Sequence, residues 1–247
     1  MPLIAKMNLN IASILFLKEN YPEAYQKLKE SITVFEELCR TEYLAFAPDL
    51  ALAYANYGNC LCQLEIYTEA IEYSKKSIDI YEELSKTDPI THRDHLTIAY
   101  SALAGVLCDV ERYEESIGFY SKTLCVLEDI AKTQPITVIE RIPQICYNLS
   151  IVYSMIEDYD SQEKYLLRAE EEYRKFYEAF PEIALNDYLS VMRAVCVFFI
   201  ECGEFDAARE RLAPYIDFID RLNEEYDGSY CEWADDAREL LDSITFE

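Results

Sequence analysis

The feature that most constrains this sequence is an aromatic side chain that recurs every 46 residues. It occupies five positions at identical spacing, which are Tyr21, Tyr67, Tyr113, Tyr159 and Phe205. Nine residues before each aromatic the side chain is small, at Ala12, Gly58, Ala104, Ser150 and Cys196. Such a fixed internal period is typical of a repeat protein, in which each unit buries its apolar face against its neighbours.

Within each unit the apolar side chains predict a pair of helices. In the second unit Tyr57 and Leu61 share one helical face, and Ile71 and Ile78 share another, at a spacing of about 3.6 residues. The chain has only 5 Gly and 8 Pro in 247 residues, which is too few to punctuate many short strands. The small column is expected to let the two helices approach closely, because a large side chain there would hold the backbones apart.

These helix pairs resemble the tetratricopeptide repeat (TPR). In the second unit Tyr57, Gly58, Leu61, Tyr67 and Ala70 match the family pattern, and the other units match it in part. The resemblance covers nearly the whole chain. The usual unit has about 34 residues, whereas here the second helix is predicted to run on toward a proline. The sequence is therefore similar to a long-helix variant of the family.

The resemblance implies an all-α fold, a right-handed α-solenoid of about five TPR-like helix pairs plus a C-terminal capping helix. We expect a single domain over residues 1–247. Its units are approximately 4–46, 47–92, 93–138, 139–184 and 185–230, and its terminal helix is 231–245. The acidic side chains Glu232, Asp235 and Glu239 give this last helix the polar face that caps a stacked array.

The charge and the cysteine content of the chain limit which kinds of partner it can bind and which cellular compartment it suits. The formal net charge of −25 would repel nucleic acid, so we expect no nucleic-acid partner. The longest N-terminal apolar run, Ile11 to Leu17, is too short to span a bilayer, and we expect no membrane partner and no signal peptide. Nine Cys residues scattered through apolar helical pattern favour a reducing cytoplasm over a disulfide framework.

Motifs that would indicate catalysis are missing from the sequence. Cys60 and Cys62 stand two apart and cannot share a helix face, and no Cys-x-x-Cys pair occurs. Neither a Gly-rich phosphate loop nor a serine nucleophile elbow is present. The sequence therefore predicts a protein that is not an enzyme and that needs no cofactor and no metal.

By resemblance, the concave face of such an array is lined by the first helix of each pair. The groove-facing columns give a candidate partner-binding set that mixes apolar and amide side chains. This set is Asn59, Gln63, Ile98, Ser101, Gln144, Tyr147, Ile151, Met155 and Arg193. Such a lining suits a peptide or helical segment of a partner protein. The alternative for Leu9, Ile98, Ile151 and Ile200 is that they pack on neighbouring helices instead.

We therefore expect a non-catalytic protein–protein interaction scaffold or adaptor. One alternative is a regulatory or sensor module that controls an attached or associated effector in bacterial signalling or defence. Another is a self-associating structural array. Residues 185–247 hold 16 acids against 5 bases, which is usually a solvated helix face but would also attract a partner with a basic patch. The oligomeric state is not predicted.

Overall fold

The computed structural model describes residues 1–244, apart from the side chain of Ile90, and this part of the chain is helical throughout. The α-helices are α1 (Pro2–Leu17), α2 (Tyr21–Cys39), α3 (Tyr43–Gln63), α4 (Tyr67–Thr87), α5 (Pro89–Asp109), α6 (Tyr113–Ala131), α7 (Arg141–Met155), α8 (Tyr159–Ala179), α9 (Pro181–Glu201), α10 (Phe205–Glu225) and α11 (Cys231–Ser243). A short 3₁₀ helix, Pro135–Val138, lies between α6 and α7. The predicted all-α fold of TPR-like helix pairs is confirmed.

The helices form two compact units, Met1–Asp129 and a second that starts at Ile130. In the first unit each of α1 to α4 packs against the helix that follows it, and in the second unit α7 to α10 do the same. The odd-numbered helices from α1 to α9 are the first helices of the five pairs. The second helices all begin at the recurring aromatic residue, so the repeat seen in the sequence sets where each pair turns.

The turn inside each pair has one conformation throughout. A glutamate with positive φ, near 60°, follows the first helix at Glu19, Glu65, Glu111 and Glu157, and Gly203 takes the same place in the fifth pair. The next backbone N–H reaches back to close the helix end, as in the 2.9 Å bond from Ile66 N to the Leu61 carbonyl. This is a Schellman motif, which satisfies carbonyls that the helix end would otherwise leave unpaired.

Close packing within a pair depends on small side chains. A Cβ atom added at Gly58 would lie 2.6 Å from Ser74 Oγ and 3.2 Å from the Ala70 carbonyl oxygen, so the expected close approach is observed there. The buried Ser31 hydroxyl donates to the Ala5 carbonyl at 2.9 Å. These contacts are made across the two helices of a pair and hold their backbones close together.

The recurring prolines mark the start of the next pair. Pro89 and Pro181 are the first residues of α5 and α9, where a missing N–H costs nothing because it would be unpaired anyway. Pro135 begins the 3₁₀ helix instead, and α7 follows only from Arg141. The fourth pair therefore has the shortest of the five first helices, with 15 residues.

Helix α9 is the most apolar helix of the second unit. Among residues 1–244 it is the one helix whose length and composition would allow it to cross a membrane, with a mean hydropathy of 1.6 over its most apolar window. Its side chains at Leu189, Val195 and Phe199 are buried in this unit. It packs against both α8 and α10, as the core helix of a helical array does.

The terminal helix α11 covers the last pair. It buries Ala234 and Ala237, while Glu232, Asp235 and Glu239 are exposed. Its predicted range, 231–245, ends outside the described residues.

Candidate binding site between first helices

The structure places all nine predicted partner-binding residues on first helices, α3, α5, α7 and α9. It brings three of them, Tyr147, Ile151 and Arg193, to a single cleft between α7 and α9. Asn59 lines a second cleft, between α1 and α3. The other five residues line neither cleft: Gln63, Ile98, Ser101, Gln144 and Met155.

The α7–α9 cleft has a volume of about 240 Å³. Its apolar wall includes Tyr147, Ile151 and Val197, which lie on the two first helices, and Leu166 of α8 contributes to the lining. Ile151 is 37% exposed, so its side chain is available to a ligand rather than sealed in the core. The cleft thus offers an apolar surface wide enough for one or two side chains of a partner.

The cation of this cleft is already paired. Arg193 Nε lies 2.7 Å from Asp236 Oδ2, and Arg193 Nη2 lies 2.9 Å from Asp236 Oδ1. The hydrogen bond to Asp236 is the largest cause of the raised pKa of Arg193. Because this fork geometry is the strong form of an arginine–carboxylate pair, α11 neutralises the charge that the sequence assigned to partner binding. The exposed Glu201 lines the same cleft.

Gln162 is one of four polar cleft residues that the predicted set did not include; the others are Ser150, Ser154 and Glu201. Gln162 of α8 lines the cleft and is half-buried. It occupies a column that holds a small, buried residue in each of the other four pairs, namely Ala24, Ala70, Ser116 and Ala208. This departure from the repeat is the signal that could have identified it. The amide supplies both a donor and an acceptor where the other pairs place a methyl or a hydroxyl.

The α1–α3 cleft is similar in volume, about 260 Å³, and different in chemistry. Ser13, Asn56 and Asn59 give it a polar side, and Phe16 and Leu17 give it an apolar one. Asn56 Nδ2 lies 3.5 Å from Ser13 Oγ. Two amides close together can bond the backbone of an extended segment.

The remaining predicted residues differ in exposure. Ile98 and Met155 are 53% and 54% exposed, and Gln63 and Gln144 are also exposed. Ser101 is half-buried on α5. Of the residues for which helix packing was the alternative, Leu9 is buried in the core, whereas Ile98 and Ile151 keep exposed surface.

A comparison of this sequence with known protein families supports the observed fold. The tetratricopeptide repeat family matches residues 3–83, which contain the first two helix pairs apart from the end of α4. The later helix pairs continue the same arrangement of hairpins. The recognition of tetratricopeptide repeats is confirmed, with the family match itself covering residues 3–83 and the TPR-like fold extending through the later helix pairs. A comparison with curated protein sequences finds no match.

Solved structures share the fold at low sequence identity. A putative kinesin light chain TPR-like repeat protein from Podosopora anserina has a TM-score of 0.66 at 12% identity, covering 87% of this chain and 94% of that chain. A signal transduction ATPase with a tetratricopeptide repeat sensor, from Pyrococcus horikoshii, has a TM-score of 0.71 at 14% identity, covering 99% of this chain and 33% of that chain. The apo form of RapI has a TM-score of 0.68 at 13% identity, covering 98% of this chain and 64% of that chain. At these identities the likeness shows the fold alone.

Proposed function

We propose that this protein is a non-catalytic interaction module that binds a peptide or helical segment of a partner protein in the α7–α9 cleft. The observation that carries the proposal is the presence of Gln162 in this cleft, at a column that every other pair fills with Ala or Ser. A long polar side chain beside the apolar residues of a cleft is suited to bonding a ligand backbone, while those apolar residues receive its side chains.

The lining favours a segment of particular chemistry. An apolar side chain fits against Tyr147, Ile151 and Val197. The charge at one side of the cleft is negative, because Arg193 is held by Asp236 and Glu201 is exposed. A Lys or Arg next to the apolar residue of the segment would be attracted there. This is consistent with the expected basic patch on the partner.

A peptide-display selection against the immobilised full chain tests the proposal across many candidate segments at once. We expect it to enrich short sequences that pair an apolar or aromatic residue with a nearby Lys or Arg. Binding of the enriched peptides to purified protein is then measured by fluorescence anisotropy. Gln162→Ala is expected to weaken binding about tenfold, which corresponds to the loss of one or two hydrogen bonds.

Two matched variants separate binding from folding. Ile151→Arg is expected to abolish peptide binding, whereas Ile183→Arg, which changes an exposed residue of α9 outside the cleft, leaves it unchanged. Gln134→Ala, on an exposed residue before the 3₁₀ helix, is the control for Gln162→Ala. Failure to enrich any sequence, or equal binding by Ile151→Arg and wild type, would overturn the proposal.

A second candidate is a regulatory or sensor module. It is favoured by the chain's similarity in fold to the signal transduction ATPase with a tetratricopeptide repeat sensor, of whose length this chain spans about a third. Under this alternative, a peptide selected on the cleft would change the conformation of the protein as well as bind it. Small-angle scattering with and without the selected peptide distinguishes the two, since a passive scaffold gives superimposable curves.

A further inference from the structure

The charge of the α7–α9 cleft depends on a residue that lies outside it. Arg193 lines the cleft, whereas Asp236 of α11, which binds Arg193, is not part of the lining. The two side chains share hydrogen bonds of 2.7 Å and 2.9 Å, and they are partly open to solvent, at 42% and 36% exposure. A ligand in the cleft therefore meets an arginine whose charge is already balanced.

The repeat does not require this ion pair. The residues at whole periods before Arg193 carry no charge, and they are Tyr147, Ser101, Ala55 and Leu9. The residues at whole periods before Asp236 include no acid, and they are Ser190, Gln144, Ile98, Leu52 and Lys6. Both members of the pair thus depart from their columns at one place, beside the cleft that also holds the exceptional Gln162. Coordinated departures from a repeat indicate a local role rather than a demand of the common packing.

Helix α11 holds the Asp236 carboxylate in position. Ala234 and Ala237, which lie on either side of Asp236 in the sequence, are buried, so the helix is seated on the fifth pair. Two residues further on, Arg238 Nη2 lies 2.6 Å from Asp220 Oδ1 of α10. The carboxylate is therefore carried by a packed helix, and Arg193 is engaged as part of the fold.

This pairing changes what Arg193 can offer to a ligand. Nε and Nη2 donate to Asp236, and Nη1 makes no hydrogen bond within residues 1–244. Nη1 can still donate to a neutral acceptor such as a backbone carbonyl. A ligand carboxylate gains little at this position, because it meets the negative charges of Asp236 and Glu201 together with one positive charge. The arrangement accepts a peptide backbone and disfavours an acidic side chain.

We propose that Asp236 determines the charge of the segment that the cleft binds. By holding Arg193, it excludes segments with Asp or Glu beside their apolar residue and leaves the cleft to segments with Lys or Arg. Specificity of this kind depends on rejecting the wrong ligand as much as on attracting the right one. The inference rests on the proposed function, because it concerns the same cleft.

Two synthetic peptides that differ at one residue test the proposal. One is a peptide enriched in the display selection, and the other carries Glu in place of its Lys or Arg. Fluorescence anisotropy gives the ratio of their dissociation constants on the full chain. We expect wild type to prefer the basic peptide by about tenfold or more, and Asp236→Asn, which keeps the shape of the side chain, to reduce that ratio about tenfold or reverse it.

The neighbouring residue supplies the matched control. Asp235→Asn removes the same charge from α11, at a side chain that is 76% exposed, and is expected to leave the ratio unchanged. A change that both variants share would come from the net charge of the chain and not from the release of Arg193.

Arg193→Gln tests the pair from its other side. It leaves the Asp236 carboxylate unbalanced, so the preference for the basic peptide is expected to rise. The double variant Arg193→Gln with Asp236→Asn removes both charges, and its ratio is expected to return towards that of wild type. Circular dichroism of each variant verifies that the helices remain folded.

The outcomes distinguish failure of this specificity from failure of the peptide site. If neither wild type nor Asp236→Asn binds any peptide, or enriches any in the display selection, the peptide site is overturned and the role of Asp236 with it. Binding by wild type with the same ratio in Asp236→Asn and Asp235→Asn overturns the role of Asp236 alone. A ratio that does not rise in Arg193→Gln has the same consequence, even where Asp236→Asn fails to fold.

Discussion

The hydroxyl of Tyr54 donates a hydrogen bond to Glu36 Oε1 at 2.6 Å, and 46 residues later Tyr100 makes the same bond to Glu82 Oε1 at 2.5 Å. In each case a buried ring on a first helix reaches a carboxylate on the preceding second helix. The bond therefore links consecutive pairs in the first unit. Tyr215 gives the opposite case, because its buried hydroxyl has no hydrogen-bond partner within residues 1–244.

These tyrosines predict opposite responses to the loss of a hydroxyl. Tyr54→Phe removes a charge-assisted bond and is expected to lower the free energy of unfolding by about 1–2 kcal/mol. Tyr215→Phe removes a polar group that is buried without a partner in the described part of the chain, and is expected to leave stability unchanged or raise it by up to about 1 kcal/mol. Urea denaturation followed by circular dichroism measures both. Equal destabilisation by the two variants would contradict this account.

The turns within the pairs predict a stabilising substitution. Glu65 has a φ of 60°, in the left-handed region that disfavours a residue with a Cβ, and Gly203 occupies the equivalent turn of the fifth pair. Glu65→Gly is therefore expected to raise stability by about 0.5–1 kcal/mol, as relief of strain outweighs the added freedom of the unfolded chain.

The fifth pair supplies the matched reverse substitution. Gly203→Glu is expected to destabilise the protein by a similar amount, because it places a Cβ at a position with positive φ. Glutamate is the residue that the other four pairs carry in this turn. Differential scanning calorimetry of both variants is the measurement. A lowered transition temperature for Glu65→Gly would show that the glutamate side chain makes a contribution larger than the backbone strain.

Leu84 tests the packing of the repeats. It is 3% exposed at the end of α4, and Leu84→Ala is expected to cost about 2–5 kcal/mol through lost burial and the cavity left behind. Leu44 of α3 is 73% exposed, and Leu44→Ala is expected to stay within about 0.5 kcal/mol of wild type. Chemical denaturation compares the two. An unchanged unfolding midpoint for Leu84→Ala would refute the assignment of this column to the core.

Alkaline pH is expected to destabilise the fold, because a buried tyrosine loses its proton less readily in the folded state than in the unfolded state. Burial, reinforced by the charge of Asp49, raises the pKa of Tyr81 to about 12, against about 10 in an unfolded chain. The folded state then holds this proton more strongly than the unfolded state. Its contribution to stability is complete below pH 10 and is lost as pH rises from about 10 to 12.

Tyrosinate absorbance and far-ultraviolet circular dichroism, recorded together during a pH titration, check this expectation. Exposed tyrosines are expected to titrate first, without loss of helix, and the buried ones to titrate together with unfolding. Tyr81→Phe removes this source of pH dependence, so its stability is expected to fall less than that of wild type over the same interval. Identical pH profiles for the two proteins would contradict the assignment to Tyr81.

The sequence by itself determined the local architecture. The recurring aromatic column marks the start of every second helix, and the small column contains Gly58, where a larger residue would meet Ser74. Both signals are local or periodic, since a helix period and a turn conformation depend on residues within a few positions of one another. For this reason the all-α repeat fold could be predicted before any three-dimensional contact was seen.

Only the tertiary structure decided how the candidate site is composed. Arg193 and Asp236 are 43 residues apart. The repeat period does not predict that this carboxylate of α11 neutralises Arg193, which was expected to bind a partner. The exposure of Ile4, Met7, Ile11 and Ile14 on α1 likewise depends on which helices lie against them, because eleven of the twelve residues in the same columns of α3, α5 and α9 are buried. Burial and charge pairing are properties of neighbours in space, and a sequence specifies those neighbours only through the complete packed fold.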